Sequence, residues 1–89
     1  GEAAPPPQAD GSFYLQAGSF QKADQADRMK ARIALLGLDV EIQQVEISGE
    51  DWHRVRVGPY TDPATLRDAQ QRLRQDDIDY LVMREKSSG

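Results

Sequence analysis

The sequence contains no cysteine and a single histidine, His53. It therefore has neither a disulfide framework nor thiolate chemistry, and it lacks the ligands of a multi-histidine metal site. No apolar run approaches the roughly 20 residues that a membrane-spanning helix needs. The net charge of −4 argues against binding along a nucleic-acid backbone, because such surfaces are normally basic. The 89 residues are enough for one small domain and not for two.

The composition divides the chain into a linker end, a domain and a tail. Residues 1–11 hold three consecutive prolines and no apolar periodicity, which predicts the extended, solvated end of a linker in a longer protein. Residues 12–85 carry the periodicities of a folded domain. Residues 86–89 are predicted to form a flexible tail.

Alternating and helical periodicities predict six elements in the order β-α-β-β-α-β. Strand patterns fall at FYLQAG, LDVEIQQVEI, WHRVRVG and YLVMR, and a helical stripe follows the first and the third of them. Gly37 is placed to end the first helix, and Asp62-Pro63 to begin the second. The predicted fold is α+β, ferredoxin-like or RNP-like, with a four-stranded antiparallel sheet and both helices on one face. Right-handed crossovers place the first and third strands at the centre.

The apolar residues of the second strand change faces part of the way along it. Val40 and Ile42 fall on one face, whereas Val45 and Ile47 fall on the other. This slip predicts either a bulge or a strand whose two ends bury different faces.

The sheet face opposite the helices is predicted to carry aromatic, amide and cationic side chains together. Tyr14 and Gln16 lie on the first strand, and Trp52, Arg54 and Arg56 occupy alternate positions on the third. This chemistry suits sugars, because a pyranose ring stacks on an aromatic face and a sugar carboxylate pairs with arginine. The alternative is that the aromatic side chains only stabilise the sheet through cross-strand contacts.

Two other functions of this architecture are disfavoured. RNA-recognition motifs stack bases on strand aromatics, but WHRVRVGPY carries aromatics only at its ends and the net charge has the wrong sign. A glycosidase needs two carboxylates about 5–9 Å apart, and the predicted face offers no such pair. We therefore expect a domain that is not an enzyme, holds no cofactor or metal, and binds no nucleic acid.

Two sequence blocks resemble the pattern of the SPOR domain, the sporulation-related module of bacterial envelope proteins. YLQAGSF is followed about thirty residues later by WHRVRVGPY, and the resemblance covers residues 12–83. One departure is DDID before the last strand, where the family usually carries a glycine. The matching positions are Gln16, Gly18, Ser19, Phe20, Ala26, Trp52, Arg54, Val55, Val57, Gly58, Pro59 and Tyr60.

The resemblance implies a monomeric, non-catalytic module that binds peptidoglycan. Its ligands would be denuded glycans, the strands of N-acetylglucosamine and N-acetylmuramic acid that have lost their stem peptides at the division septum. The module would target a periplasmic host there without entering the membrane itself. Such hosts, anchored in the outer or inner membrane, include rare-lipoprotein-A-type lytic transglycosylases and septal-ring proteins. The alternative is a protein-interaction or regulatory domain of ferredoxin-like topology.

The resemblance also implies roles for single residues. Gln16 and Ser19 match glycan-contacting positions, although Ser19 is also placed to cap the first helix. Trp52 is the predicted stacking platform. Arg54 binds ligand or stacks on Tyr14.

The remaining predicted contacts lie at the edges of this face. Phe20 either walls a groove or packs onto the first helix. On the fourth strand we expect Leu81 and Met83 to face inward, which leaves Tyr80 and Val82 at the groove edge. The predicted glycan-binding set is Tyr14, Gln16, Ser19, Phe20, Trp52, Arg54, Arg56, Tyr80 and Val82.

Overall fold

The computed structural model describes residues 11–86, which fold in the predicted order β-α-β-β-α-β. The first strand begins at Gly11 and the last strand ends at Lys86. The sheet therefore includes one residue of the predicted linker and one residue of the predicted tail. The rest of both segments lies outside the described residues. The elements are β1 (Gly11–Phe20), α1 (Ala23–Ala34), β2 (Val40–Ile47), β3 (Glu50–Tyr60), α2 (Pro63–Gln75) and β4 (Leu81–Lys86).

The four strands form one antiparallel sheet in the order β2-β3-β1-β4. The prediction that β1 and β3 are central is therefore confirmed. All four strand patterns correspond to strands, but β1 and β3 extend beyond their alternating segments. Backbone pairing continues there because the neighbouring strand supplies hydrogen-bond partners whatever the side chains are.

Both helices cover the same face of the sheet, as predicted. The buried core joins inward-facing residues of β1 and β3 to the inner stripes of α1 and α2. Ile78, in the approach to β4, closes the core beside them. The two helices therefore cover this face, and no helix within residues 11–86 lies over the opposite face, which we call the open face. The core residues are Leu15, Ala17, Ala26, Ile33, Val55, Val57, Ala69, Leu73 and Ile78.

The pairing of β2 with β3 decides between the two interpretations of the second strand. The register runs unbroken from Val40 opposite Val57 to Ile47 opposite Glu50, so β2 has no bulge against β3. Residues directly opposite each other in an antiparallel pair share a face. The two ends of β2 therefore serve different faces, and Val45 lies on the open face opposite Trp52.

In the DDID segment an aspartate takes the backbone conformation for which a glycine is usual. Asp77 adopts the left-handed backbone conformation, with a φ of 57°. Aspartate is one of the few residues that tolerate this region besides glycine, because its short side chain can bond locally. The departure from the family pattern therefore keeps the chain reversal that leads into β4.

The start of α2 gives a prediction about acid stability. The Asp62 carboxylate accepts a hydrogen bond from the Thr65 backbone N–H at 2.9 Å, and this bond lowers the pKa of Asp62 below its ordinary value. A carboxylate of this kind stabilises the fold above its ordinary pKa, and the contribution is lost as the pH falls below about 4. Asp62→Asn keeps an N-cap oxygen but does not titrate.

We therefore expect the urea midpoint of Asp62→Asn to fall less than that of the wild type between about pH 5 and pH 2. Asp27→Asn, at an exposed position on α1, controls for the loss of one negative charge. Equal falls in all three proteins would contradict a stabilising cap carboxylate.

Candidate functional site

The open face carries the predicted row of β3 side chains. Trp52, Arg54 and Arg56 alternate with Val55 and Val57, which are fully buried under the helices. The predicted orientation of the row is therefore confirmed. On β1, Tyr14 and Gln16 flank the buried Leu15 and lie on the open face beside this row.

A bulge in β1 brings Ser19 onto the same face as Gln16. In a regular strand the two would point to opposite faces, because their separation is an odd number of residues. The β1–β3 register shifts by one between Gln16 and Gly18, and Ser19 then lies opposite Arg54. The extra residue is Ala17, which stays buried in the core. The bulge therefore assembles a polar group from residues that a regular strand would separate.

Ser19 does not cap α1. The N-cap residue of α1 is Lys22, and its side chain makes no cap hydrogen bond. Ser19 is exposed, so its hydroxyl is open to a ligand on this face. The capping alternative raised by the sequence is wrong.

Phe20 lies on the other side of the sheet. The same bulge places it opposite His53, which follows the inward parity of Val55, and its ring packs against the core. It lines a depression beside α1 together with Met29. Of the two roles considered for Phe20, the structure therefore supports packing onto the first helix. Phe20 lies on the face opposite to the open-face residues.

The Arg56 side chain is held by contacts with other residues of the protein. It is 8 % exposed, its guanidinium carbon stands 3.6 Å from the centroid of the Tyr14 ring, and its Nη2 is 2.9 Å from Glu85 Oε1. Of the two roles considered for Arg54, binding ligand or stacking on Tyr14, the stacking is made by Arg56 instead. Stacking and ion pairing occupy both the face and one edge of the Arg56 guanidinium.

Tyr14 presents a neutral hydroxyl group beside Arg56. Burial, followed by the carboxylate of Glu41, raises the pKa of Tyr14 above its ordinary value. The nearby Arg56 opposes this shift only in part. The Tyr14 hydroxyl therefore stays protonated at neutral pH and is available as a hydrogen-bond donor.

Arg54 lies between polar residues of both neighbouring strands. It is opposite Gln43 of β2 and Ser19 of β1. Its Nε is buried and finds no hydrogen-bond partner in the described part of the chain. A buried donor without a partner costs free energy, so it marks a position where a ligand would be favoured.

A depression of roughly 200 Å³, which we call the basic depression, opens beside Arg54 on the open face. It has amides and arginines on its walls and a methionine from β4. It is smaller than the roughly 300–1,000 Å³ that is usual for pockets that enclose a small molecule. Its lining residues are Gln16, Gln43, Arg54, Arg56, Met83, Arg84 and Glu85.

The predicted orientation of β4 is wrong. Leu81 pairs with Gln16 and Met83 pairs with Tyr14, so both lie on the open face. Val82 pairs with the buried Leu15 and therefore points to the helix side. The alternation of YLVMR could not decide this, because the strand carries apolar residues on both faces. Apolar side chains thus form the β4 side of the open face.

Tyr80 is also turned inward. It packs against the core, and its hydroxyl accepts a hydrogen bond from Arg74 Nη1 at 2.6 Å. One side of Tyr80 still lines a second depression of roughly 310 Å³ at the start of β4, which we call the acidic depression. Its lining residues are Gln16, Ala17, Gly18, Ser19, Asp79, Tyr80 and Leu81.

Sequence reasoning missed several open-face residues. Gln43 and Val45 of β2 stand opposite Arg54 and Trp52, and Leu81 and Met83 come from β4. The sequence did carry a signal for the β2 pair, because its apolar residues change faces along the strand and this change puts Val45 on the face opposite to Val40 and Ile42. Nothing in the sequence signalled the β4 pair.

The described residues offer no site for a metal ion. Within residues 11–86, no three histidine or carboxylate side chains are grouped closely enough to ligate one. No helix in the same range is long and apolar enough to cross a membrane.

Comparisons with known proteins agree with this architecture. The family model of the SPOR domain matches residues 9–84. The RlpA SPOR domain from Pseudomonas aeruginosa superposes with a TM-score of 0.75 at 28% identity, covering 82% of this chain and 99% of that domain.

A second solved structure has the same fold. The peptidoglycan binding domain of the B. subtilis cell wall lytic enzyme CwlC superposes with a TM-score of 0.66 at 20% identity, covering 84% of this chain and 91% of that one. At that identity the likeness supports the fold alone. No curated protein matches the chain.

Proposed function

Because this chain belongs to the SPOR domain family, we propose that it binds peptidoglycan through the open face of its sheet. More narrowly, its ligands are denuded glycan strands of N-acetylglucosamine and N-acetylmuramic acid. The observation that carries the proposal is Arg54, whose Nε is buried without a partner among polar groups on an uncovered sheet face.

The open face offers each kind of contact that a glycan needs. Trp52 and the exposed Leu81 present apolar surface to the C–H faces of sugar rings. The Gln16 and Gln43 amides and the Ser19 hydroxyl donate and accept hydrogen bonds for sugar hydroxyls and acetamides. A flexible glycan loses entropy on binding a shallow surface, so we expect a dissociation constant near micromolar, about −8 kcal/mol.

Arg54 supplies a reason for preferring denuded strands. Removal of the stem peptide converts the lactyl amide of muramic acid into a carboxylate and removes bulk from the strand. Arg54 then gains a charge-assisted hydrogen bond, which is about twice as strong as a neutral one. Arg56 contributes less, because Tyr14 and Glu85 already occupy it.

The biological role proposed here is targeting, in a domain that has no catalytic task of its own. A monomeric domain of this kind in the periplasm would bring its host protein to denuded glycan at the division septum. The activity of the host would reside in another domain.

The proposal is tested by co-sedimentation with purified sacculi before and after amidase digestion. We expect binding to rise on digestion and to fall about tenfold in Gln16→Ala and Trp52→Ala, since each removes about 1.4 kcal/mol of contact. Gln71→Ala is the matched control, because it makes the same change on an exposed position of α2. Circular dichroism checks that each variant is folded.

Trp52 also gives a direct readout in solution. It is the only tryptophan of the chain, so its fluorescence reports on this face alone. Soluble denuded glycan fragments are expected to change its emission with a saturable dose dependence. If neither sacculi nor fragments bind, the proposal is overturned and a protein partner becomes the better hypothesis.

A further inference from the structure

The basic and acidic depressions adjoin each other at one residue. Gln16 lines both, and among the described residues it is the only lining residue that they share. Their volumes are similar in scale, roughly 200 and 310 Å³. Since the Gln16 side chain carries both a donor and an acceptor, it is suited to bond groups on either side of a junction between two sugars.

The two depressions differ in charge. The positive charge of the basic depression comes from Arg54, because Arg56 and Glu85 are paired with each other and Arg84, opposite Phe13, turns its side chain toward the helices. Among the residues within 11–86 that line the acidic depression, Asp79 alone is charged. Asp79 is exposed, so its carboxylate meets any sugar bound there. A chain of net charge −4 thus presents a positive and a negative site next to each other.

We infer that Gln16 separates two sugar subsites of opposite charge, one for the acidic sugar beside Arg54 and one for the neutral sugar beside Asp79. This inference rests on the proposed function. Asp79 is a specificity-determining residue that acts by repulsion, since a carboxylate placed beside it would meet a like charge. The alternating repeat of a denuded glycan therefore binds in one register, with its muramic acid in the basic depression.

The other contacts of the acidic depression suit a neutral sugar. Leu81 is 63% exposed and offers an apolar surface to a sugar ring. The Ser19 hydroxyl lies at the β1 side of the same depression and is open to an acetamide or a hydroxyl group. None of these groups competes with Arg54 for the carboxylate.

The inference predicts an effect of ligand charge that depends on Asp79. The probes are soluble denuded glycan fragments and the same fragments with N-deacetylated glucosamine residues, which carry an ammonium group. Deacetylation places a positive charge beside Asp79, and an exposed charge pair of this kind changes affinity by about threefold. We therefore compare the affinity for the deacetylated probe, divided by the affinity for the acetylated probe. This ratio is expected to be about threefold higher in the wild type than in Asp79→Asn.

Two further variants sharpen the experiment. Asp79→Lys should reverse the preference and weaken binding of the deacetylated probe. Asp27→Asn, on the exposed surface of α1, should keep the wild-type ratio, because it changes the net charge away from the open face. Affinities are measured from Trp52 fluorescence and by calorimetry.

The outcomes separate this inference from the proposed function. An affinity ratio that is the same in the wild type, Asp79→Asn and Asp79→Lys would overturn the two-subsite arrangement, while glycan binding itself would stand. A ratio that changes equally in Asp27→Asn would also overturn it, because the effect would then come from net charge. A wild type that binds neither probe would overturn the proposed function and the inference with it.

Discussion

Arg54→Ala is expected to weaken binding of denuded glycan by roughly ten- to a hundredfold. A hydrogen bond to a charged group contributes about 1.5–3 kcal/mol, and each 1.4 kcal/mol is a factor of ten in affinity. The fold should lose little, because the variant removes a buried Nε that has no hydrogen-bond partner in residues 11–86. The measurement is a titration of soluble denuded fragments followed by Trp52 fluorescence.

Arg56→Ala is the matched comparison, since it makes the same change two residues away on the same strand. Here we expect the free energy of unfolding to fall by about 2 kcal/mol, because the variant removes a buried stack on Tyr14 and an ion pair with Glu85. Urea denaturation measures this loss. If Arg56→Ala kept full stability while Arg54→Ala unfolded the domain, the roles assigned to the two arginines would be reversed.

Arg54→Lys examines the geometry of the same contact. Lysine keeps the charge but lacks the planar fork of donors that pairs with a carboxylate. We expect only partial recovery of the affinity lost in Arg54→Ala. Full recovery would mean that Arg54 acts as a point charge and that its unpartnered Nε is not used.

Gly58→Ala is expected to lower the free energy of unfolding by about 3 kcal/mol. Gly58 has a φ of 128°, a conformation that costs other residues about 1–3 kcal/mol. A Cβ at this position would also stand 3.0 Å from the backbone oxygen of Phe13 in the paired strand. That atom cannot move away without disturbing the β1–β3 register, so strain and close contact add.

Gly49→Ala separates the two contributions. Gly49 has a φ of 81°, and a Cβ built on it meets no atom within 4 Å. We expect it to cost about 1 kcal/mol, from backbone strain alone. The measurement is urea unfolding followed by Trp52 fluorescence, with circular dichroism to show that both variants fold in water. Equal losses in the two variants would show that the contact with Phe13 contributes nothing.

The sequence by itself determined the order of the elements, the central pair of strands and the buried stripes of both helices. The elements and the stripes follow from local periodicity, which a single chain segment encodes, and the central pair follows from the right-handedness of the crossovers. The alternation of Trp52, Arg54 and Arg56 with Val55 and Val57 likewise fixed which face β3 leaves open. The two family blocks then indicated the SPOR domain, and the match over residues 9–84 confirms it.

Only the tertiary structure decided how the open face is assembled. The bulge at Ala17 places Ser19 beside Gln16 and turns Phe20 toward the helices, and it is visible only in the register between β1 and β3. The facing of β4 and the partners of Arg56 were decided in the same way. Strand register and side-chain pairing depend on residues far apart in the chain, and no local pattern specifies them when both faces of a strand are apolar.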